Sequence, residues 1–188
     1  MMLRNLLLLF IVFLTSCSTG SGFSTHASSL EVHSMGLDRV VLRANCTTIV
    51  CTEGFANEGD IWMTDIPLDQ LTSGEYSNGQ IIHLQLLWTP VAGKTPLAST
   101  STNLAIKYFI ISEGKVGIYS GGGFAWLSGT PEKGMLLNIE GATVAIETPP
   151  VAGFADRLTP ATVVGKVRSV PNQTIARQIA TAAELIRQ

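Results

Sequence analysis

Apolar and polar residues alternate along much of the chain between residues 30 and 170, which is the pattern of half-buried β-strands. The clearest case is Gln80–Thr89, whose positions 82, 84, 86 and 88 are all apolar, whereas the opposite face mixes apolar residues with His83 and Gln85. Weaker strand candidates are Arg39–Ala44, Asp60–Ile66, Asn103–Ile111, Val116–Tyr119, Met135–Ile139, Ala142–Glu147 and Thr162–Val170.

Turn residues separate these strand candidates. A glycine within Ser112–Lys115 predicts a hairpin across residues 103–119, and the pair Glu140-Gly141 predicts a second turn, which would join Met135–Ile139 to Ala142–Glu147. The run Gly121–Gly123 lacks the features of a phosphate-binding loop. It is typical of a bulge, a bend or close backbone packing.

The C-terminal segment changes to helical spacing. Asn172 is the expected N-cap of an amphipathic helix at about residues 172–187, because apolar residues recur there every three or four positions. Short strands with regular turns, and no helices alternating with them, predict a mainly β fold. We expect one domain over residues 30–188, built as an antiparallel β-sandwich or small barrel-like domain that packs against this helix.

The N-terminus has the layout of a secretory signal. Arg4 provides a positive charge, Leu6–Leu14 is an unbroken apolar run, and small residues follow. A permanent membrane helix needs about 20 apolar residues, so this run is too short to be one. We therefore assign residues 1–16 to a signal peptide that is removed on export.

Leu14-Thr15-Ser16-Cys17 resembles the lipobox of bacterial lipoproteins. The resemblance covers residues 1–17 only, and it implies cleavage before Cys17 and attachment of acyl chains such as palmitate to that residue. Two or three chains anchor a protein stably to a bilayer. The alternatives are an ordinary secretory signal with a chance cysteine and an uncleaved anchor. Ser18, where an Asp would imply retention at the inner membrane, favours the outer membrane.

Residues 17–29 would then be the lipidated cysteine and a flexible tether, since small polar residues dominate the segment. The resulting expectation is a domain held on a membrane surface in the cell envelope, outside the cytoplasm. The sequence has 12 Lys and Arg against 14 Asp and Glu. Without clustered cations it lacks the charge that nucleic-acid binding requires. The expected partners are the lipid bilayer, through Cys17, and other envelope proteins.

Cys46 and Cys51 remain after Cys17 is used for lipid. Paired cysteines usually form a disulfide in an oxidising compartment, and four intervening residues permit a bridge across a tight hairpin or bulged loop. We predict a structural disulfide between them. Two free thiols and a redox or metal pair are the alternatives.

Catalytic and metal motifs are absent from the sequence, so we predict no catalytic residues, metal or cofactor. No nucleophile elbow, zinc motif or clustered Asp-x-Asp occurs. His83 is interpreted as a histidine lining a strand face, and Asp60, Asp65 and Asp69 as solvated or strand-end carboxylates. A pocket that held His83 with a carboxylate in hydrogen-bond reach would instead favour an enzyme.

Aromatic residues supply the remaining weak ligand-site candidates, which are Trp62, Tyr119 and Trp126 together with His83. Three hypotheses follow. The first is a non-enzymatic envelope lipoprotein with a structural or assembly role through protein contacts. The second is a module that binds a glycan or small ligand, and the third is an unrecognised hydrolase.

Overall fold

The structure is a computed structural model that describes residues 28–52, 59–94, 101–130, 134–147 and 153–187. It confirms the predicted mainly β fold with a C-terminal helix. The elements in chain order are β1 (Ser29–Ser34), β2 (Val41–Arg43), β3 (Thr48–Cys51), β4 (Gly59–Thr64), α1 (Leu68–Ser73), β5 (Gly79–Leu86), β6 (Leu104–Ser112), β7 (Lys115–Thr130), β8 (Gly134–Ile146), β9 (Ala161–Pro171) and α2 (Gln173–Ile186).

All nine strands belong to one sheet, in the order β2-β1-β9-β3-β4-β5-β6-β7-β8. Strand β9 also pairs with β8, so the seven strands from β3 to β9 close into a barrel-like circuit. Neighbouring strands are antiparallel except β3 and β9, which pair in parallel at Val50 and Val170. The β1–β2 hairpin adds to β9 beside β3.

The sheet buries apolar residues on both of its faces. Ile82, Leu84 and Leu86 of β5 point into the closed sheet and belong to the inner core. Ile81 points outward and packs with Phe109 in an outer core beneath the helices. The alternation predicted for residues 80–89 is therefore correct, and its second face is covered by α1 and α2 rather than by solvent.

Helix α2 forms where the sequence predicts it. The Oδ1 atom of Asn172 accepts a hydrogen bond from the backbone N–H of Ile175 at 3.0 Å, which confirms the predicted N-cap. The apolar stripe of the helix is buried against the outer face of the sheet through Ala176, Ile179 and Ala183. No helix of the described ranges has the length and apolar character needed to cross a membrane.

The predicted turn at Glu140-Gly141 is wrong. Strand β8 runs unbroken from Gly134 to Ile146, and Phe124 pairs with Gly141 while Ala125 pairs with Ile139, so that Glu140 is the extra residue of a bulge. Asn103 holds this point of β7, because its buried amide accepts from the Ala125 N–H and donates to the Ala125 carbonyl. Strand β8 pairs with β7 on one side and with β9 on the other. These pairings keep the chain extended at Gly141, where the sequence predicted a turn.

The glycines of β7 allow neighbouring backbones to approach closely, which was one of the predicted roles. A Cβ atom at Gly121 would lie 1.9 Å from the carbonyl oxygen of Thr143 on β8, and one at Gly123 would lie 2.3 Å from that of Gly141. Larger residues would push the two strands apart. The glycine run is therefore part of the sheet.

In the structure Cys46 and Cys51 are two free thiols, and the predicted bridge between them is not formed. Strand β3 occupies Thr48–Cys51, where the prediction assumed a hairpin or bulged loop. At about 3.3 Å per residue, this strand alone extends over about 10 Å, whereas the Cα atoms of a disulfide lie about 4.4–6.8 Å apart. Cys51 ends this strand and Cys46 lies two residues before its start, so the segment between them is not the hairpin that the prediction assumed.

The described chain begins at the end of the predicted tether. Strand β1 starts at Ser29, and the hydroxyl oxygen of Ser28 accepts from the backbone N–H of Arg168 at 3.0 Å. The sheet therefore includes the last residue of the predicted tether, residues 17–29. Cys17 and the signal segment lie outside the described residues.

Candidate functional site

A cavity of about 280 Å³ lies between the outer face of the sheet and the C-terminal half of α2, and we call it the helix cleft. Strands β4 to β7 form its floor, and the small side chains of Ala180 and Ala183 leave room beneath the helix. Polar groups converge on it in an otherwise apolar interface. Its polar and aromatic lining includes Trp62, His83, Gln85, Lys107, Ser120 and Glu184.

The strand register places these floor residues in one row. Trp62 of β4 is the Cα partner of His83 of β5, His83 is the partner of Lys107 of β6, and Lys107 is the partner of Ser120 of β7. Directly paired residues have side chains on the same face of a sheet. Four residues that are far apart in the sequence thus line one cavity.

His83 is held by two neighbours. Its Nε2 atom lies 2.6 Å from Asp60 Oδ1, and Nε2–H donates to that carboxylate. Its ring stacks on Trp62 with centroids 3.9 Å apart and an angle of 4° between the planes. The side chain of His83 is 18% exposed. The hydrogen bond to Asp60 and the stacking on Trp62 hold its ring at the edge of the cavity.

Ser120 is fixed in the same way at the other end of the row. Its hydroxyl donates a hydrogen bond to the carboxylate of Glu147. Lys107 lies between His83 and Ser120 and is half-buried. None of the ion pairs among the described residues includes Lys107. The row is therefore carboxylate, imidazole, unpaired ammonium, hydroxyl and carboxylate.

The cleft meets the condition that would favour an enzyme, because it holds His83 against a carboxylate. Its geometry does not form a serine–histidine pair, however. Ser120 and His83 lie two strands apart, which is about 9.5 Å, and the serine hydroxyl is directed to Glu147. A nucleophile and its base must be in hydrogen-bond reach of each other. The row therefore leaves the Lys107 ammonium between an imidazole and a hydroxyl, each of which is hydrogen-bonded to a carboxylate.

Tyr119 lies elsewhere, on the inner face of the sheet. Its hydroxyl donates to Asp156 Oδ1 at 2.8 Å. Burial, the hydrogen bond to Asp156 and the negative charge of that carboxylate all raise the pKa of the phenol. Tyr119 is therefore a neutral hydrogen-bond donor, and it borders a different cavity from that of Trp62 and His83.

Trp126 lies in a third place. It contacts Phe124 edge to face with centroids 5.1 Å apart, and Phe124 contacts Trp88 at 6.2 Å. Trp88 donates its Nε1–H to the carbonyl of Thr102, which makes it part of the local structure. The weak candidates thus divide into Trp62 with His83, Tyr119 alone and Trp126 alone, and they do not form one stacking surface.

Sequence reasoning did not identify Lys107, Ser120, Glu147 or Glu184 as site residues. Period-2 alternation gives the face on which each side chain lies, but the pairing partner depends on the register between strands that are distant in the sequence. Asp60 was interpreted as a solvated or strand-end carboxylate; it does lie at the start of β4, but its contact with His83 was not predicted.

The chemistry of the cleft follows from these side chains. One half-buried ammonium is flanked by an imidazole and a hydroxyl, and Glu184 lies on the helix side. Among the residues that the structure describes, no three His, Cys, Asp or Glu side chains are grouped so that they could hold a metal ion. Comparisons with protein-family models, curated proteins and solved structures find no match to this chain.

Proposed function

We propose that this chain is a lipid-anchored, non-enzymatic protein of the cell envelope whose β-domain binds a small organic anion in the helix cleft. The observation that carries the proposal is Lys107, a half-buried ammonium without a carboxylate partner in the described structure. Removing a charge from water is costly unless the charge is paired. A ligand carboxylate or phosphate would supply the missing partner.

The neighbours of Lys107 support a ligand of this kind. Asp60 and Glu147 accept hydrogen bonds from His83 and Ser120, and none of the ion pairs among the described residues joins either carboxylate to Lys107. Both neighbours are fixed before a ligand arrives, which lowers the entropic cost of binding. Glu184 offers an acceptor to a hydroxyl or amino group of the ligand. This cleft favours ligand binding over a role based on protein contacts alone.

Titration of the full-length protein in detergent with acetate and with inorganic phosphate tests the cleft. Trp62 lines the helix cleft. We therefore expect anion binding to cause a saturable change in tryptophan fluorescence that chloride at equal ionic strength does not reproduce. Lys107→Met should weaken binding about tenfold or more, because a hydrogen bond to a charged group is worth about 1.5–3 kcal/mol. Lys166→Met, at an exposed position of β9, is the matched control.

Equal affinity in the Lys107→Met and wild-type proteins would refute the anion site. So would a fluorescence change that chloride reproduces in full, because that result would report ionic strength alone. A response to phosphate without one to acetate would support the site and identify a phosphate ligand. The reverse would identify a carboxylate.

The anchor is supported by the lipobox resemblance of residues 14–17 and by the tether that follows. Replacement of Cys17 with Ala should abolish labelling by radioactive palmitate and partition into a detergent phase. Cys46→Ala, which removes a different cysteine, should leave both unchanged. Normal detergent partition of the Cys17→Ala protein would disprove the anchor. Ser18 favours the outer membrane as its location, which fractionation of the envelope would test.

A further inference from the structure

A second cavity, of about 360 Å³, opens at the end of the closed sheet near the β6–β7 turn, and we call it the mouth cavity. Ligand pockets commonly occupy about 300–1,000 Å³ and occur in the mouths of closed sheets. Its wall is mainly apolar and aromatic. The residues that form it include Val40, Leu42, Ile110, Tyr119, Phe154 and Leu158.

Phe154 shapes the mouth cavity. Its ring lies so close to Gly117 of β7 that a Cβ atom there would be 2.2 Å from the ring. The same ring contacts Tyr119 at 6.4 Å with an angle of 73° between the planes. The segment that begins at Gly153 thus places an aromatic side chain against the inner face of the sheet, and the cavity remains beside it.

Charged groups occupy the rim of the mouth cavity. Lys115 belongs to none of the ion pairs among the described residues, and its aliphatic chain runs past Gly153. Arg157 pairs with Asp38 at 3.5 Å. Glu113 also lies at the rim. Lys115 is therefore the cation available to an anionic group whose apolar portion enters the cavity.

The turn between β1 and β2 exposes two large apolar side chains beside this rim. Met35 is 60% exposed and Leu37 is fully exposed. The turn is held in place, because the Met35 N–H donates to the carbonyl of Pro160 at 2.8 Å and Asp38 pairs with Arg157 of the rim. Two exposed apolar side chains on one fixed turn provide a surface that could contact a membrane.

The length of chain before β1 allows this turn to reach the membrane that would hold the anchor. Ten residues lie between Cys17 and Ser28, and the eleven Cα–Cα steps that join the two extend over at most about 36–40 Å. Strand β1, which leads from that end to the turn, spans about 17 Å at the usual rise per residue. The turn and the acylated Cys17 can therefore contact one bilayer surface at the same time.

We propose that the mouth cavity receives the acyl chain of a single-chain anionic lipid from this bilayer. Lys115 would hold the head group, and the turn that carries Met35 and Leu37 would contact the membrane during transfer. This site is separate from the helix cleft, since the two cavities share no lining residue. Its ligand is an amphiphile, whereas the cleft takes a small polar anion.

Binding of laurate to the full-length protein in a non-ionic detergent below its critical micelle concentration tests the cavity. Leu42→Glu places a carboxylate in the cavity wall and should weaken laurate binding at least tenfold. Val41→Glu is the matched control, because the neighbouring residue of β2 is 49% exposed and does not line the cavity. Equal affinity of the Leu42→Glu and Val41→Glu proteins would overturn the proposed cavity.

Transfer of laurate from vesicles of phosphatidylethanolamine and phosphatidylglycerol tests the turn. Met35→Ser with Leu37→Ser should slow transfer several-fold without changing the affinity for free laurate. Leu185→Ser, which removes an exposed leucine on α2, should change neither. Normal transfer by the double variant would exclude membrane contact by the turn. Laurate binding retained by Lys107→Met would separate this site from the cleft.

Discussion

The hydrogen bonds that Asp156 accepts near the mouth cavity make the stability of the folded protein depend on pH. Its Oδ1 atom accepts from the Leu158 N–H at 2.9 Å, the Thr159 N–H at 3.1 Å and the Tyr119 hydroxyl. Burial acts to raise the pKa of this carboxyl, but these hydrogen bonds outweigh it and hold the pKa below its usual value of 3.8. A carboxylate with a lowered pKa stabilises the folded protein above its unfolded pKa.

That stability should be lost as the pH falls from about 4 through the lower pKa of the folded state. We expect Asp156→Asn to flatten this part of the stability curve and to cost about 1 kcal/mol near neutral pH, since the group is largely exposed. Urea unfolding between pH 2 and 7 measures both effects. Asp69→Asn, at an exposed position of α1, serves as the control. Parallel curves for Asp156→Asn and wild type would contradict the assignment.

The cysteines provide a second prediction at the residue scale. Burial, with a smaller contribution from the charge of Asp65, raises the pKa of Cys46 to about 12, and burial raises the pKa of Cys51. Since the thiolate is the reactive form, native thiols should react slowly with iodoacetamide at pH 7. In urea without reductant, intact mass should show that both are alkylated. Failure of either to react until reductant is added would instead restore the bridge.

Helix α2 is the element that the sequence predicts most completely. Its N-cap and its apolar spacing are local features, so neither depends on knowing the rest of the fold. Asn172→Ala should cost about 1 kcal/mol, because it leaves the Ile175 N–H without its capping oxygen. Asn172→Asp should retain most of the stability. Thermal unfolding compares the three proteins, and equal stability of wild type and Asn172→Ala would disprove the cap.

Other elements depend on partners that are distant in the sequence. The two faces of β5 were visible as alternation, but the pairing of His83 with Lys107 was not, because it is fixed by the β5–β6 register. Glu140-Gly141 has the composition of a turn, and only the presence of strands on both sides of β8 makes it a bulge. The cysteine spacing alone permits a bridge, but strand β3 extends the chain between the two residues.

At the scale of the whole molecule, one sheet supports both cores. Strands β4 to β6 send alternate residues into the inner core and into the outer core under α2. A loss of packing under the helix should therefore be transmitted to the closed sheet. The helix cleft and the mouth cavity lie on opposite faces of this sheet and share no lining residue. Because the same sheet forms both, unfolding of the structure around one cavity should be accompanied by unfolding around the other.

Ile179→Ala tests this linkage. The residue is fully buried in the outer core, and truncation of a buried isoleucine costs about 2–5 kcal/mol. If the sheet unfolds as one unit, far-ultraviolet circular dichroism and tryptophan fluorescence should shift together in urea. Thr181→Ala, exposed on the same helix, should change stability by less than about 0.5 kcal/mol. If Ile179→Ala lost helical signal before the fluorescence transition, α2 would be an independently unfolding cover, and the two cavities would not be coupled through the sheet.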